Sequence, residues 1–342
     1  MPTVCRPSVE LPPHRVDLDE LVNHFAEIYR NHERLDDALS VMRAGKVATR
    51  FFSRPLKELT DRRVPEAERM RRHYAATVQL AERAARHAVE SAGVEMADIG
   101  CLISTSSIGY VVPGIDVHLI NRLSLGPQTV RMPVTNMGCG GGAFALCRAA
   151  DFLAGPRRGH VLVVCSDVLA AYLHPADTGM DNIVMRGIVG DAAAACIVRR
   201  DEAVPGLRIT STWDYTVPGS SDIVGLKVGP DGMHGYNSPR LYDAIRAAVP
   251  PLAQWFSAVP DFALAHPGGP KIMDLLSEQL GLSEELLRHS RTSLAEVGNT
   301  GSSSLLDVIS RAFDDPPASG DQGIILSIGP GIMVAALKAR WS

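Results

Sequence analysis

This chain has no excess of positive charge: 34 lysines and arginines face 38 aspartates and glutamates in 342 residues, a formal charge of −4. A phosphate backbone finds no basic footprint here, which argues against nucleic acid as a partner. Long apolar runs are missing too, since nowhere do the ~18 successive apolar residues of a membrane span occur together. The opening stretch, MPTVCRPSVELPPHRVDLDE, contains no apolar core of a secretory signal. A cytoplasmic protein without a membrane partner is the expectation. Six cysteines (Cys5, Cys101, Cys139, Cys147, Cys165 and Cys196) show no CxxC spacing, so neither a zinc site nor a disulfide framework is expected. No GxGxxG run offers a dinucleotide site.

Against these absences stands a regular alternation of helical and strand patterns, which points to an α/β fold with strands buried on both faces. The helical pattern ATVQLAERAARHAVESAG stops at Gly93 and is followed by the strand IGCLISTSS. A helix around GIDVHLINRLSL, the strand VRMPVT, a turn carrying Cys139, the helix GGAFALCRAADFLAG and the apolar strand HVLVVCS complete a first unit. The same order returns later. LYDAIRAAVPPLAQWF reads as a helix, PDFALAHPGG as a strand ending at His266, KIMDLLSEQLGL as a helix, GNTGSSSLLDVISRAF as a turn entering a helix, and GIILSIGPG as a strand. Gly138-Cys139 corresponds to Gly298-Asn299, so the chain reads as an internal duplication, divided into halves 1–205 and 206–342. Two such units are expected to pack as two similar sheets with helices between them, with both turns at a common crevice.

That crevice would hold Cys139, His266 and Asn299. A thiol reacts as thiolate, and both a helix N-terminus and a nearby imidazolium lower its pKa. Gly140, Gly141, Gly142 and Ala143 would leave room for a substrate carbonyl beside the Cys139 backbone N–H, an oxyanion donor. Each residue also has a plainer reading: Cys139 as a small packed side chain, His266 as a turn residue before proline, Asn299 as a helix cap.

The stretches VTNMGCGGGAFALCRAADFL, LAHPGGPKIMD, VGNTGSSS and SIGPGI resemble the signatures of the type III polyketide synthases, the chalcone and stilbene synthase family of the thiolase-like superfamily, in their bacterial form. The resemblance runs from about Arg50 to Lys338. It implies a five-layered αβαβα thiolase-like fold, a homodimer and a Cys139-His266-Asn299 triad. Cys139 would take an acyl group from a thioester. His266 and Asn299 would hold the carbonyl of a malonyl thioester while CO2 leaves, and the enolate would attack the acyl-cysteine. No metal or organic cofactor is implied; the substrates are acyl- and malonyl-coenzyme A or their carrier-protein thioesters, and the product a pyrone or resorcinol-type ring.

Departures from the family pattern bear on substrate. Val189 and Gly235 stand where the plant enzymes place two phenylalanines at the cavity mouth, and Ala171 and Gly301 are small at further pocket positions. A wide pocket is therefore expected. The cyclisation loop reads Ser327-Ile328-Gly329-Pro330-Gly331, with Gly331 at its end, and Val112 replaces a methionine that reaches toward the partner subunit. The family's phosphate-binding basic positions align with Ser40 and Ala44, with Arg43, Lys46 and Arg50 close by as the candidates to bind coenzyme A. If that site is weakened, a carrier protein becomes the donor. The alternative reading is then a ketosynthase III-like enzyme that performs one condensation or joins two carrier-bound chains. A silent homologue and a plain Cys139 hydrolase are the remaining readings.

Overall fold

Successive side chains of a strand point to opposite faces, so a strand apolar at every position feeds two cores at once. The strand Asp191–Arg199, DAAAACIVR, does this. Ala194, Cys196 and Val198 enter a central core, whereas Ala193, Ala195 and Ile197 enter an outer one. The small alanines let helices approach closely on both sides. The computed structural model describes residues 1–107, 111–172, 177–200, 204–229 and 232–342, with the side chains of 171, 172, 228, 232 and 233 outside the description.

Three apolar cores separate five layers. The first lies between the long helix Glu66–Ser91, with Ile115–Leu123, and the outer face of the N-terminal strands. The second surrounds two central helices, Gly141–Ala154 and Ser303–Ala312, and takes strand residues from both halves, Ile103 and Val163 from one, Leu264 and Ile325 from the other. The third joins the C-terminal strands to Leu241–Phe256 and Pro270–Leu280. This is the αβαβα arrangement implied by the sequence.

The duplication is visible in strand pairing. Ile99–Ser106 runs parallel to His160–Val168, which is antiparallel to Asp191–Arg199. In the second half Phe262–Ala265 runs parallel to Gln322–Gly329, which is antiparallel to Met333–Trp341. One expectation is corrected: the two sheets are not separate. The short strand Thr3–Val4 pairs with both Asp191–Arg199 and Leu207–Thr216, so hydrogen bonding runs continuously through ten strands. The N-terminal sheet carries a further edge strand, Val130–Thr135, leading into the cysteine turn.

A smaller apolar cluster sits apart from these layers. Helices Leu18–Ile28 and Leu35–Ala44 pack with Met180–Ile188 through Leu21, Phe25, Met42 and Ile183. Gly187 permits this contact, since a Cβ there would stand 2.5 Å from Met42 Cγ. Among the described residues no helix is long and apolar enough to cross a membrane.

Candidate active site

The chain leaves strand Val130–Thr135 through Asn136 and Gly138, both at positive φ (64° and 50°), and enters a single 3-10 turn, Gly138–Gly140, that continues into the helix Gly141–Ala154. Cys139 sits on that turn. The glycines have a different role from the one the sequence suggested. A Cβ on Gly138 would lie 2.6 Å from Pro330 Cδ, one on Gly140 2.6 Å from Met333 Cε, and one on Gly142 2.5 Å from the Ser302 carbonyl. They let the helix start press against the other half of the molecule, rather than clear space for substrate; Ala143 is fully buried in the central core.

Asn299 follows Gly298, whose φ of 75° ends the helix Arg288–Val297. Its backbone is held on both sides: the N–H donates to the Ile188 carbonyl at 2.8 Å, and the carbonyl accepts from Gly190 N at 3.0 Å. The side-chain Oδ1 accepts from the Gly301 N–H at 3.0 Å. That bond assigns the amide orientation, and Cys139 Sγ lies 3.8 Å from both Nδ2 and Oδ1 of the amide. The cap position of the helix Ser303–Ala312 is Ser302, so Asn299 makes a local turn bond ahead of that helix and is not its cap.

His266 follows the strand Phe262–Ala265, its N–H donating to the Leu326 carbonyl at 2.8 Å. The side chain is 4% exposed, and neither ring nitrogen has a hydrogen-bond partner. Buried polar groups are nearly always paired, so an orphaned imidazole marks a place where something else binds. Cys139, His266 and Asn299 line one cavity of about 250 Å³. Its other walls are mainly aliphatic, from Val184, Ile188, Leu226, Ile272 and Ile328 among others, with Ser107, Asp181 and Asn237 as polar members.

Burial shifts both titratable groups of the site. It pushes the Cys139 thiol up to about 11, against the lowering effect of the Asn299 contact, and pulls the His266 imidazole down to about 4. Because the thiolate is the reactive form, alkylation of Cys139 by iodoacetamide is expected to quicken about tenfold per pH unit between pH 6 and 10. A rate independent of pH over that range, followed by mass spectrometry, would indicate a preformed ion pair instead.

The pocket calls divide. Val189 lines the cavity and forms a parallel bridge with Asn299, and Gly301 lines it too. Gly235 and Gly331 do not, and Ala171 lies on the turn Leu169–Tyr172 with its side chain outside the described residues. Gly235 instead lets a hairpin approach the helix Met180–Ile188, since a Cβ there would meet Met185 Cε at 3.0 Å. The cavity, about 250 Å³, lies just below the ~300–1,000 Å³ of typical ligand pockets. Of the phosphate candidates, Arg43 and Lys46 are exposed. Arg50 is corrected. It is fully buried, donates to the carbonyls of Gly187 (2.7 Å) and Val47 (3.0 Å), and has its pKa pulled down to about 10 by burial. A guanidinium so enclosed ties the strand Thr49–Phe52 to the cavity wall and does not reach a phosphate. Val112 is 96% exposed.

Two features escaped the sequence reading. Asp167, fully buried, accepts from Ser107 N, Ser302 N and Ser302 Oγ, each at 2.6 Å, and so links the halves beside the cavity. Burial holds its carboxyl above the usual range. The signal was a charge at the end of the otherwise apolar HVLVVCSDV. The other is the helix Met180–Ile188, whose Asp181, Val184 and Met185 form a cavity wall. Among the described residues no group of three His, Cys, Asp or Glu could hold a metal.

A duplicated five-layer sandwich with a cysteine turn on a cavity defines a condensing enzyme of the thiolase-like class, an acyltransferase. The models of the N-terminal and C-terminal domains of chalcone and stilbene synthases match residues 18–202 and 243–340, and the chain belongs to that family, as a type III polyketide synthase. It is 31% identical to the phloroglucinol synthase of Pseudomonas fluorescens over the full length of both chains. With the 1,3,6,8-tetrahydroxynaphthalene synthase of Streptomyces griseus it shares 28% identity, over 100% of this chain and 93% of the other. The crystal structure of the 1,3,6,8-tetrahydroxynaphthalene synthase of Streptomyces coelicolor superposes with a TM-score of 0.95 at 27% identity, covering 99% of each chain.

Proposed function

We propose that this synthase condenses malonyl units from coenzyme A thioesters, on a small starter or on malonyl itself, into a compact cyclised phenol or pyrone. Cys139 Sγ attacks the starter thioester as its proton passes to the neutral His266 ring. That proton then leaves with the coenzyme A thiol, and acyl-Cys139 remains. The carbonyl oxygen of a malonyl thioester next rests between a His266 N–H and the Asn299 NH2. As the C–C bond to the carboxylate breaks and CO2 departs, these donors stabilise the enolate oxygen, and the enolate carbon attacks acyl-Cys139 to form the new C–C bond and release the thiolate.

The observation that carries this reading is a buried imidazole without a hydrogen-bond partner among the described residues, on the same cavity as the Cys139 thiol and the Asn299 amide. The product class follows from size. A cavity of about 250 Å³ favours a compact product, and the relatives named above are synthases of one-ring and two-ring phenols. The exposed Arg43 and Lys46 lie at the end of the helix Leu35–Ala44, which packs against the cavity wall through Met42 and Gly187, and supply the cations for coenzyme A phosphates. No resident cofactor is part of this mechanism. A homodimer, with Val112 exposed toward its partner, completes the reading.

The test is incubation with malonyl-coenzyme A alone and with a panel of acyl-coenzyme A or acyl-carrier-protein starters, products being resolved by mass spectrometry. One-ring products from coenzyme A esters are expected. Loading from carrier proteins alone would overturn the coenzyme A assignment, and preferential use of long acyl chains the size argument.

A further inference from the structure

The cavity wall opposite the central helices is not part of the main sheet. It is an isolated hairpin, Val224–Gly229 with Gly232–Asn237, paired only with itself in register Leu226 to Gly235. Its first strand puts Val224, Gly225 and Leu226 on the cavity, and its second adds Asn237. A lone two-stranded hairpin is marginally stable in water, so its position depends on what holds it.

Among the described residues, hydrogen bonds tie it to the start of the helix Met180–Ile188 and the residues just before it. Asp177 Oδ2 pairs with His234 Nδ1 at 2.5 Å. The buried Asn182 accepts from the Gly235 N–H at 3.2 Å, and its own NH2 donates to the same Asp177 oxygen. Asp181 Oδ2 accepts from the Asn237 N–H at 3.3 Å. Asp177 Oδ1 also accepts from the Gly179 N–H at 2.8 Å, which fixes the carboxylate before the helix begins. One carboxylate thus orients both the imidazole on the hairpin and the amide that receives the hairpin backbone. At Gly235 the strand comes so close that a Cβ would crowd Met185 Cε and Asn182 Oδ1, at 3.0 and 3.1 Å. Met185 itself lines the cavity, so the hairpin's separation from the helix sets the volume available to a growing chain.

We propose that Asp177 is a positioning residue which, through His234 and Asn182, clamps the hairpin against the helix Met180–Ile188 and thereby sets how many malonyl-derived units the chain reaches before release. The assignment rests on the condensing reading above. Loosening the clamp frees the wall while leaving Cys139, His266 and Asn299 on separate, deeply packed elements.

Asp177→Ala is compared with wild type by hydrogen-exchange mass spectrometry and by the product distribution from malonyl-coenzyme A. Exchange within 224–237 is expected to quicken roughly tenfold, as the loss of charge-assisted hydrogen bonds implies, with the helix Gly141–Ala154 unaffected and the products shifted toward longer chains. Asp177→Asn, which keeps an acceptor for the Gly179 N–H, is expected to restore part of the wild-type distribution. Should Asp177→Ala fail to fold, His234→Gln cuts only the hairpin side and is expected to act in the same direction. Unchanged hairpin exchange, or an unchanged product ratio in a folded variant, would overturn the clamp. A wild type that makes no condensation product while its hairpin still responds to the substitution would overturn the polyketide reading, and the chain-length role with it.

Discussion

Cys139→Ala is expected to carry no acyl group after exposure to any thioester and to lose condensation by on the order of 10⁴-fold or more, as removal of a nucleophile generally does. Intact-protein mass spectrometry reads the first effect and product formation the second. The substitution removes one sulfur from a turn that its glycines hold against Pro330 and Met333, so the turn itself stays in place. His266 and the Asn299 NH2 remain on the cavity, and the variant is therefore expected to release CO2 from malonyl-coenzyme A still. That separation of loading from decarboxylation is particular to this mechanism: a hydrolase based on Cys139 would lose its one activity entirely. An acyl adduct surviving in Cys139→Ala would move the nucleophile elsewhere in the chain.

His266→Ala and Asn299→Ala should each slow decarboxylation by about 10²–10³-fold, the usual loss when one donor to a developing oxyanion is removed. The effects should differ in kind. In the proposed mechanism His266 also accepts the Cys139 proton, so its removal should slow loading as well, whereas Asn299→Ala should still become acylated. Asn299→Asp is the sharper probe. An aspartate can keep the acceptor for the Gly301 N–H, but it replaces the NH2 by an oxygen, which repels the enolate. Activity close to wild type in Asn299→Asp would show that the amide donor is not used. The measurement is CO2 or acetyl-coenzyme A release from malonyl-coenzyme A, with folding checked by circular dichroism.

What was legible in the sequence was whatever a local pattern encodes. Continuous apolar runs such as DAAAACIVR and HVLVVCSDV reported burial on both faces, and the layered cores divide their residues by parity. The repeated order of elements reported the duplication, which reappears as matching parallel and antiparallel pairings. Cys139, His266 and Asn299 could be singled out because each stands where a regular element meets a turn. The helices Leu18–Ile28 and Leu35–Ala44, by contrast, precede the part of the chain that carried the resemblance, yet they back the helix Met180–Ile188 that walls the cavity.

Local pattern failed wherever a role depended on which surfaces meet. Arg50 beside Arg43 and Lys46 reads as one basic patch, yet the strand carrying it turns its guanidinium inward to two carbonyls. The glycines after Cys139 read as space, whereas the other half of the chain occupies that space. Gly235 reads as a missing phenylalanine and a wide pocket; its lack of a side chain instead draws a hairpin in. The Cys139 thiol reads as acidified by a helix end, but burial outweighs that local field.

The sequence by itself determined the α/β class and its duplication, because periodicity and turn chemistry act within a few residues of each other, while the five-layered fold came from the resemblance of its motifs to a known family. Tertiary structure alone decided the cavity's volume, the burial that shifts its thiol and imidazole, and the hydrogen bonds gathered on Asp177. Each of these depends on desolvation or contact between segments far apart in the chain, where distance in space bears no relation to distance in sequence.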